Sequence, residues 1–234
     1  VMKVSVGCNA LTMAEVASIC GGILTFVGGE NKRDVPFNYV CTDSRETADG
    51  ALFVALGGER VDGHDYIDAA LSAGGGCVLC ERIPEETGDH NYVAVVVEDS
   101  LKAVGELAKA YDRRINHRKV AITGSVGKTT TKELLATVLS TKYNLHYTQG
   151  NLNNQIGVPL TLLQITRAHE MAIVEMGASH PGDIKELVDI AEPNCGLITN
   201  VGRAHLEGFG SFEGVQETKK ELYDYLLDYQ GFIF

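Results

Sequence analysis

The chain has 234 residues, 44% of them hydrophobic and 22% charged, with a formal net charge of −11. That is the composition of a globular protein long enough for two cores. No basic stripe interleaved with aromatics offers a track for nucleic acid. No run approaches the ~18 apolar residues of a membrane span, and no signal-peptide pattern is visible. The expectation is therefore a cytoplasmic protein without a membrane span; a monomer is the further expectation, which the composition itself leaves open. Cysteines stand at 8, 20, 41, 77, 80 and 195. Only Cys77-Val-Leu-Cys80 are close in sequence, and in a strand they face opposite sides. Buried free thiols in a reducing compartment fit better than a disulfide framework or a zinc site.

In chain order, Thr12-Met-Ala-Glu15 has the spacing of a capping box and opens a helix that Gly21-Gly22 closes. Strands follow over 23–27 and 52–56. Around the second lie Thr42-Asp43-Ser44-Arg45 and Asp62-Gly63-His64. As residues alone these read as turn caps and solvated charge. A helix starts at Tyr66, and the Gly74-Gly-Gly turn runs into a strand ending at Cys80. Another strand covers 92–97, and Ser100 caps a helix over 101–115. Arg113-Arg-Ile-Asn-His117 reads as a boundary, giving domains 1–117 and 118–234.

The second half opens on a strand over 119–123, a turn Gly124-Ser-Val-Gly127, then Lys128-Thr129 and a helix to about 141. Its apolar residues Leu134, Leu135, Val138 and Leu139 have helical spacing. Strand, glycine turn, Lys-Thr and helix make a phosphate cradle from backbone N–H groups and a helix N-terminus. Lys128 suits the outer phosphates and the Thr129 hydroxyl suits Mg²⁺. The pattern is G-x-x-G-K-T, shorter than the common P-loop, which would need glycine where Ile122 stands. An Asn-rich loop, 150–159, leads into a helix near Pro159. A strand over 171–176 delivers Glu175, Pro181 begins a helix, and a strand over 195–199 delivers Asn200 through His205. Helical spacing returns over 215–227. Gly231-Phe-Ile-Phe234 reads as a strand just beginning, so a longer parent chain is expected. Alternation of strands and helices predicts an α/β fold, a small first domain followed by a mostly parallel sheet. Gly124–Thr129, Glu175 and Asn200–His205 then gather at the C-terminal strand ends, where such sheets bind ligands.

Together, Thr123-Gly-Ser-Val-Gly-Lys-Thr-Thr-Thr-Lys-Glu133, the 150–159 loop, Glu175-Met-Gly-Ala178 and Thr199-Asn-Val-Gly-Arg-Ala-His-Leu-Glu-Gly-Phe-Gly210 resemble the Mur ligase family. These are ATP-dependent, amide-bond-forming enzymes of peptidoglycan synthesis. Asp43-Ser-Arg, the strand near 52–56 and Asp62-Gly-His are similar to the family's UDP-binding domain. Residues 205–210 are most similar to the member that joins D-alanyl-D-alanine to UDP-N-acetylmuramoyl-tripeptide. The resemblance implies those two substrates, ATP, and two Mg²⁺ ions. It also implies a nucleotide loop of Gly124, Ser125, Val126, Gly127, Lys128, Thr129 and Thr130, and metal ligands Thr129, Glu175 and His205. Lys128, Glu175, His205 and a carbamylated lysine at 219 or 220 would be the catalytic groups. Ser44 and Arg45 would meet the UDP diphosphate, and Asn153 and Asn154 the substrate peptide. It further implies that the rest of the ATPase domain and a closing C-terminal domain lie outside this sequence, so that the chain alone is no competent ligase. Three other readings compete: another family member, adding a single amino acid or of the folylpolyglutamate or cyanophycin synthetase kind; a non-catalytic nucleotide- or UDP-sugar-binding module; and a P-loop kinase, which the shortened loop disfavours.

Overall fold

The computed structural model describes residues 3–7, 11–28, 36–58, 61–85, 88–115, 117–202 and 206–234. It divides into two compact units, 1–110 and 111–234.

The first unit contains β1 (Lys3–Ser5), β2 (Leu11–Thr12), α1 (Met13–Cys20), β3 (Ile23–Val27), β4 (Pro36–Phe37) and β5 (Tyr39–Cys41). It continues with β6 (Ala51–Val54), α2 (Ile67–Ser72), β7 (Cys77–Cys80), β8 (Tyr92–Val96) and most of α3 (Ser100–Asp112). Its main sheet has the order β1-β5-β6-β7-β8-β3. Strands β5 to β8 are parallel, and β1 and β3 pair antiparallel at the edges. The inner strands β6 and β7 are buried at every position, as expected of parallel strands covered on both faces. Phe53, Val78, Tyr92 and Ala94 pack against Ile67, Ala70 and Leu71 of α2.

The capping box forms as expected. Thr12 Oγ1 accepts from the Glu15 N–H at 3.3 Å, and Glu15 Oε2 accepts from the Thr12 N–H at 2.9 Å. Gly21 closes α1 at φ +63°, the left-handed conformation that favours glycine. The cap of α3 lies one residue earlier than the sequence suggests. Asp99 Oδ1 accepts from the Lys102 N–H at 2.9 Å, while the Ser100 N–H donates to Glu81 Oε1 at 3.0 Å. A carboxylate at the N-cap also meets the positive end of the helix dipole, which a hydroxyl does less well.

The second unit contains β9 (Arg118–Thr123), α4 (Lys128–Leu139), β10 (Leu145–Tyr147), α5 (Gly157–Leu163), β11 (Met171–Glu175) and α6 (Asp183–Ala191). Then come β12 (Cys195–Ile198), α7 (Leu206–Phe209), α8 (Phe212–Asp228) and β13 (Phe232–Ile233). All five strands are parallel, in the order β10-β11-β9-β12-β13. The chain leaves β9 toward one edge and later returns to its other side at β12, which puts a topological switch point at the C-terminal end of β9. Helix α6 starts at Asp183, two residues after Pro181, and the Gly182 and Lys185 N–H groups donate to Glu221 of α8 at 2.9 and 2.8 Å.

Of the four apolar residues read on α4, Leu135 and Leu139 pack on Val120, Ile122 and Ile173. Leu134 and Val138 are exposed. Each lies about 100° around the helix from its packed neighbour, so only the 132, 135, 136, 139 face meets the sheet.

Candidate nucleotide and metal site

Strand β9 ends at Thr123, whose hydroxyl donates to Met176 O at 2.9 Å and ties the ends of β9 and β11 together. The glycine turn follows. Gly124 has φ +145° and stands so close to the next strand end that a Cβ there would lie 2.0 Å from Thr199 Oγ1. Only glycine fits that approach. The turn is clamped by residues 199–202. The Ser125 N–H donates to Asn200 O at 3.1 Å, and the Val126 N–H to Asn200 Oδ1 at 3.0 Å. Asn200 Nδ2 and Thr199 Oγ1 both donate to Val126 O, at 2.9 and 2.7 Å. Ser125 Oγ exchanges hydrogen bonds with the backbone of Gly202.

Gly127, at φ +83°, then turns the chain into α4, which begins without a side-chain cap. The first-turn N–H groups of an α-helix have no partner within the helix. Those of Lys128, Thr129 and Thr130 thus form an anion-binding end, while the Ser125 and Val126 amides are given to Asn200. Lys128 Nζ donates to Gly124 O at 2.8 Å.

Beside this end, β11 presents Glu175, which is 1% exposed. Its N–H donates to the buried Thr148 hydroxyl at 3.0 Å. Its Oε1 accepts from Thr129 Oγ1 at 3.2 Å and from Asn153 Nδ2 at 2.8 Å. Its Oε2 is buried without a hydrogen-bond partner. The nearest cation to Oε2 is Lys132 Nζ at 3.6 Å, and Lys132 is completely buried. Among the described residues no cluster of three His, Cys, Asp or Glu side chains assembles. The carboxylate and hydroxyl are nonetheless hard oxygen donors, and an orphaned carboxylate oxygen fits a Mg²⁺ ion that takes its remaining ligands from phosphate and water.

The other expected site residues divide as follows. Asn153 meets Glu175, whereas Asn154 Oδ1 accepts from the Ile156 and Gly157 N–H groups and so caps the approach to α5. Lys219 is 2% exposed on α8, its ammonium 5.8 Å from the Phe209 ring centroid. Burial, assisted by the charge of Lys128, pulls its pKa down to about 8. Neighbouring Lys220 is exposed and paired with Asp224. His205 lies outside the described residues.

Lys132 is the residue that sequence reasoning missed. Its spacing to Leu135, Ala136 and Leu139 is that of the buried face, and a lysine on that face was the available signal.

In the first unit, Ser44 and Arg45 occupy a 3-10 turn directly after β5, capped by Asp43. Arg45 is exposed, and its hydrogen bonds hold the Asp43 carboxyl down at about 2. His64 follows the adjacent strand β6 and is buried. Its Nε2 accepts from the Glu81 N–H at 2.9 Å, so its proton sits on Nδ1, which donates to Asp62 Oδ1 at 2.6 Å. These loops share the C-terminal edge of two parallel strands, a ligand-binding position in such sheets.

A separate apolar cavity of about 1070 Å³ lies at the opposite, N-terminal ends of β9, β11 and β12, lined by Val120, Leu135, Leu139, Met171, Cys195 and Leu197. None of the site residues borders it.

Residues 122–234 match the Mur ligase middle domain, and residues 36–120 match the Mur ligase family, catalytic domain. The UDP-N-acetylmuramoyl-tripeptide--D-alanyl-D-alanine ligase of Escherichia coli (strain K12) is 41% identical over 214 residues, covering 92% of this chain and 45% of that protein. The crystal structure of MurF from Acinetobacter baumannii superposes with a TM-score of 0.84 at 34% identity, over 96% of this chain and 48% of that one. MurF ligase from Thermotoga maritima in complex with ADP gives a TM-score of 0.72 at 40% identity, over 80% and 43%. The chain thus spans about half the length of the curated relatives it matches.

Proposed function

Since the chain belongs to the Mur ligase family, we propose that it serves an ATP-dependent ligase joining D-alanyl-D-alanine to UDP-N-acetylmuramoyl-tripeptide in the cytoplasm. The observation that carries this reading is the convergence of Thr129 and Asn153 on one oxygen of buried Glu175, beside the uncapped start of α4. In this reading residues 118–234 hold ATP. The α4 N-terminus and Lys128 take its phosphates, and Thr129 and Glu175 hold Mg²⁺, which supplies charge neutralisation on the transferred phosphoryl group. Residues 1–117 hold the UDP-linked substrate, with Ser44 and Arg45 toward the diphosphate.

The substrate's terminal carboxylate attacks the γ-phosphorus, forming an acyl phosphate and releasing ADP. The amine of D-alanyl-D-alanine then attacks the acyl carbon, and inorganic phosphate leaves. In this reading the buried Lys219, rather than the exposed Lys220, carries the carbamate. A carbamate forms from an uncharged amine, and burial favours the uncharged form.

The test is a thermal-shift titration of the chain with UDP-N-acetylmuramoyl-tripeptide, the corresponding dipeptide and Mg·ATP, each alone and combined. A ligand that binds the native state raises its apparent stability. The reading predicts a larger rise with tripeptide than with dipeptide, plus a rise with Mg·ATP that Lys128→Ala removes. Preference for the dipeptide would reassign the substrate, and no response to any UDP ligand would refute the role of residues 1–117.

A further inference from the structure

Lys132 sits where no phosphate-binding role calls for it. It lies one helical turn beyond Thr129, on the face of α4 turned to the sheet, fully buried. Its Nζ is 3.6 Å from Glu175 Oε2, 3.2 Å from Glu133 Oε1 and 5.9 Å from the Tyr147 ring centroid. It has no hydrogen bond, and neither has Glu175 Oε2. A buried ammonium without a hydrogen bond is costly unless a charge compensates it, and here that charge is the carboxylate proposed to hold the metal.

We propose that Lys132 acts as an internal counter-cation that keeps Glu175 from binding a divalent metal until nucleotide arrives. The inference rests on the nucleotide-site reading above and deepens it. The ammonium of Lys132 stands between two carboxylates, 3.6 Å from Glu175 and 3.2 Å from Glu133. Glu133 is half exposed, so its contribution is screened by solvent. A divalent cation approaching Glu175 is therefore repelled by an ammonium already beside the carboxylate, which offsets its charge. The phosphates of a bound nucleotide add the missing negative charge. Metal and nucleotide then load together, and Glu175 is held in place by Lys132 until they do.

The test uses Mn²⁺ as the probe, titrated into the nucleotide-free chain and followed by the electron paramagnetic resonance of the free ion. Lys132→Gln leaves a polar N–H group beside Glu175 Oε2, and Lys132→Met keeps the shape of the stem; both remove the charge. Each is expected to bind Mn²⁺ at least about tenfold more tightly than wild type, while Lys132→Arg stays at the wild-type level. Neutral variants that bind Mn²⁺ no better than wild type overturn the proposal. If both neutral variants fail to fold, the wild type decides. Mn²⁺ must then bind weakly alone and be retained with ADP, and tight binding of Mn²⁺ without nucleotide overturns the proposal. ADP binding by calorimetry on the same wild-type samples separates the two ideas. No ADP binding removes the nucleotide-site reading and this inference with it. ADP binding beside charge-insensitive Mn²⁺ affinity removes only the role of Lys132.

Discussion

Replacing Gly124 by alanine tests whether the nucleotide loop is shaped by its contact with the end of β12. Two costs add. The backbone at φ +145° is a conformation that only glycine adopts easily, costing on the order of 1–3 kcal/mol for another residue. The new Cβ would also stand 2.0 Å from Thr199 Oγ1 and 3.1 Å from Thr199 N. The hydroxyl must then move and abandon its 2.7 Å bond to Val126 O, a loss of about 1 kcal/mol. The sum is about 2–4 kcal/mol, or roughly 8–16 °C in Tm for a unit of about 120 residues. Gly127→Ala is the control. It has φ +83° but nothing within 4 Å of its added Cβ, so it carries only the backbone cost, about 1–2 kcal/mol or roughly 4–8 °C. Calorimetric melts of both variants, each with and without Thr199→Ala, separate the terms. Measured in the Thr199→Ala background, the penalty of Gly124→Ala should shrink by about 1 kcal/mol, and that of Gly127→Ala should stay the same. The reasoning fails if Gly124→Ala is no worse than Gly127→Ala, or if Thr199→Ala leaves its penalty unchanged.

Lys219 supplies a pH signature. Its folded pKa of about 8 lies below the ordinary 10.5, so the unfolded chain binds more protons between those values. Its contribution to stability therefore rises as pH rises from about 8 to 10.5, by up to about 3 kcal/mol. The thiols of Cys20 and Cys80, pushed up to about 12 and about 11 by burial, work in the opposite direction above their unfolded values. The comparison is thus wild type against Lys219→Met in CO₂-free buffer; identical pH profiles by urea unfolding would contradict the assignment. Asp112 gives a core prediction. It is 1% exposed, paired with Lys119 Nζ and 3.2 Å from His117 Nε2. Asp112→Ala strands the buried Lys119 ammonium and should cost about 3–5 kcal/mol. A loss below about 1 kcal/mol in urea unfolding would mean that the network relaxes freely.

What the sequence by itself determined was local. The capping box at Thr12 and Glu15, the strand–turn–helix over 118–139, the order of strands and helices, and the placing of Glu175 at a strand end all follow from spacing and propensity within a few residues. The α3 cap missed by one position because Asp99 and Ser100 are both good N-caps, and only the pull of Glu81 on the Ser100 N–H separates them. Tertiary structure decided the rest. It gave the Ser125 and Val126 amides to Asn200, 74 or more residues away. It sent Asn153 to Glu175 and left Asn154 as a helix cap, although the two are adjacent. It buried Lys219 and exposed Lys220, exposed Leu134 and Val138, and placed Lys132 against Glu175. The reason is the same in each case. Periodicity fixes which residues share a helix face or a strand end, but not which face the sheet covers or which distant carboxylate waits there.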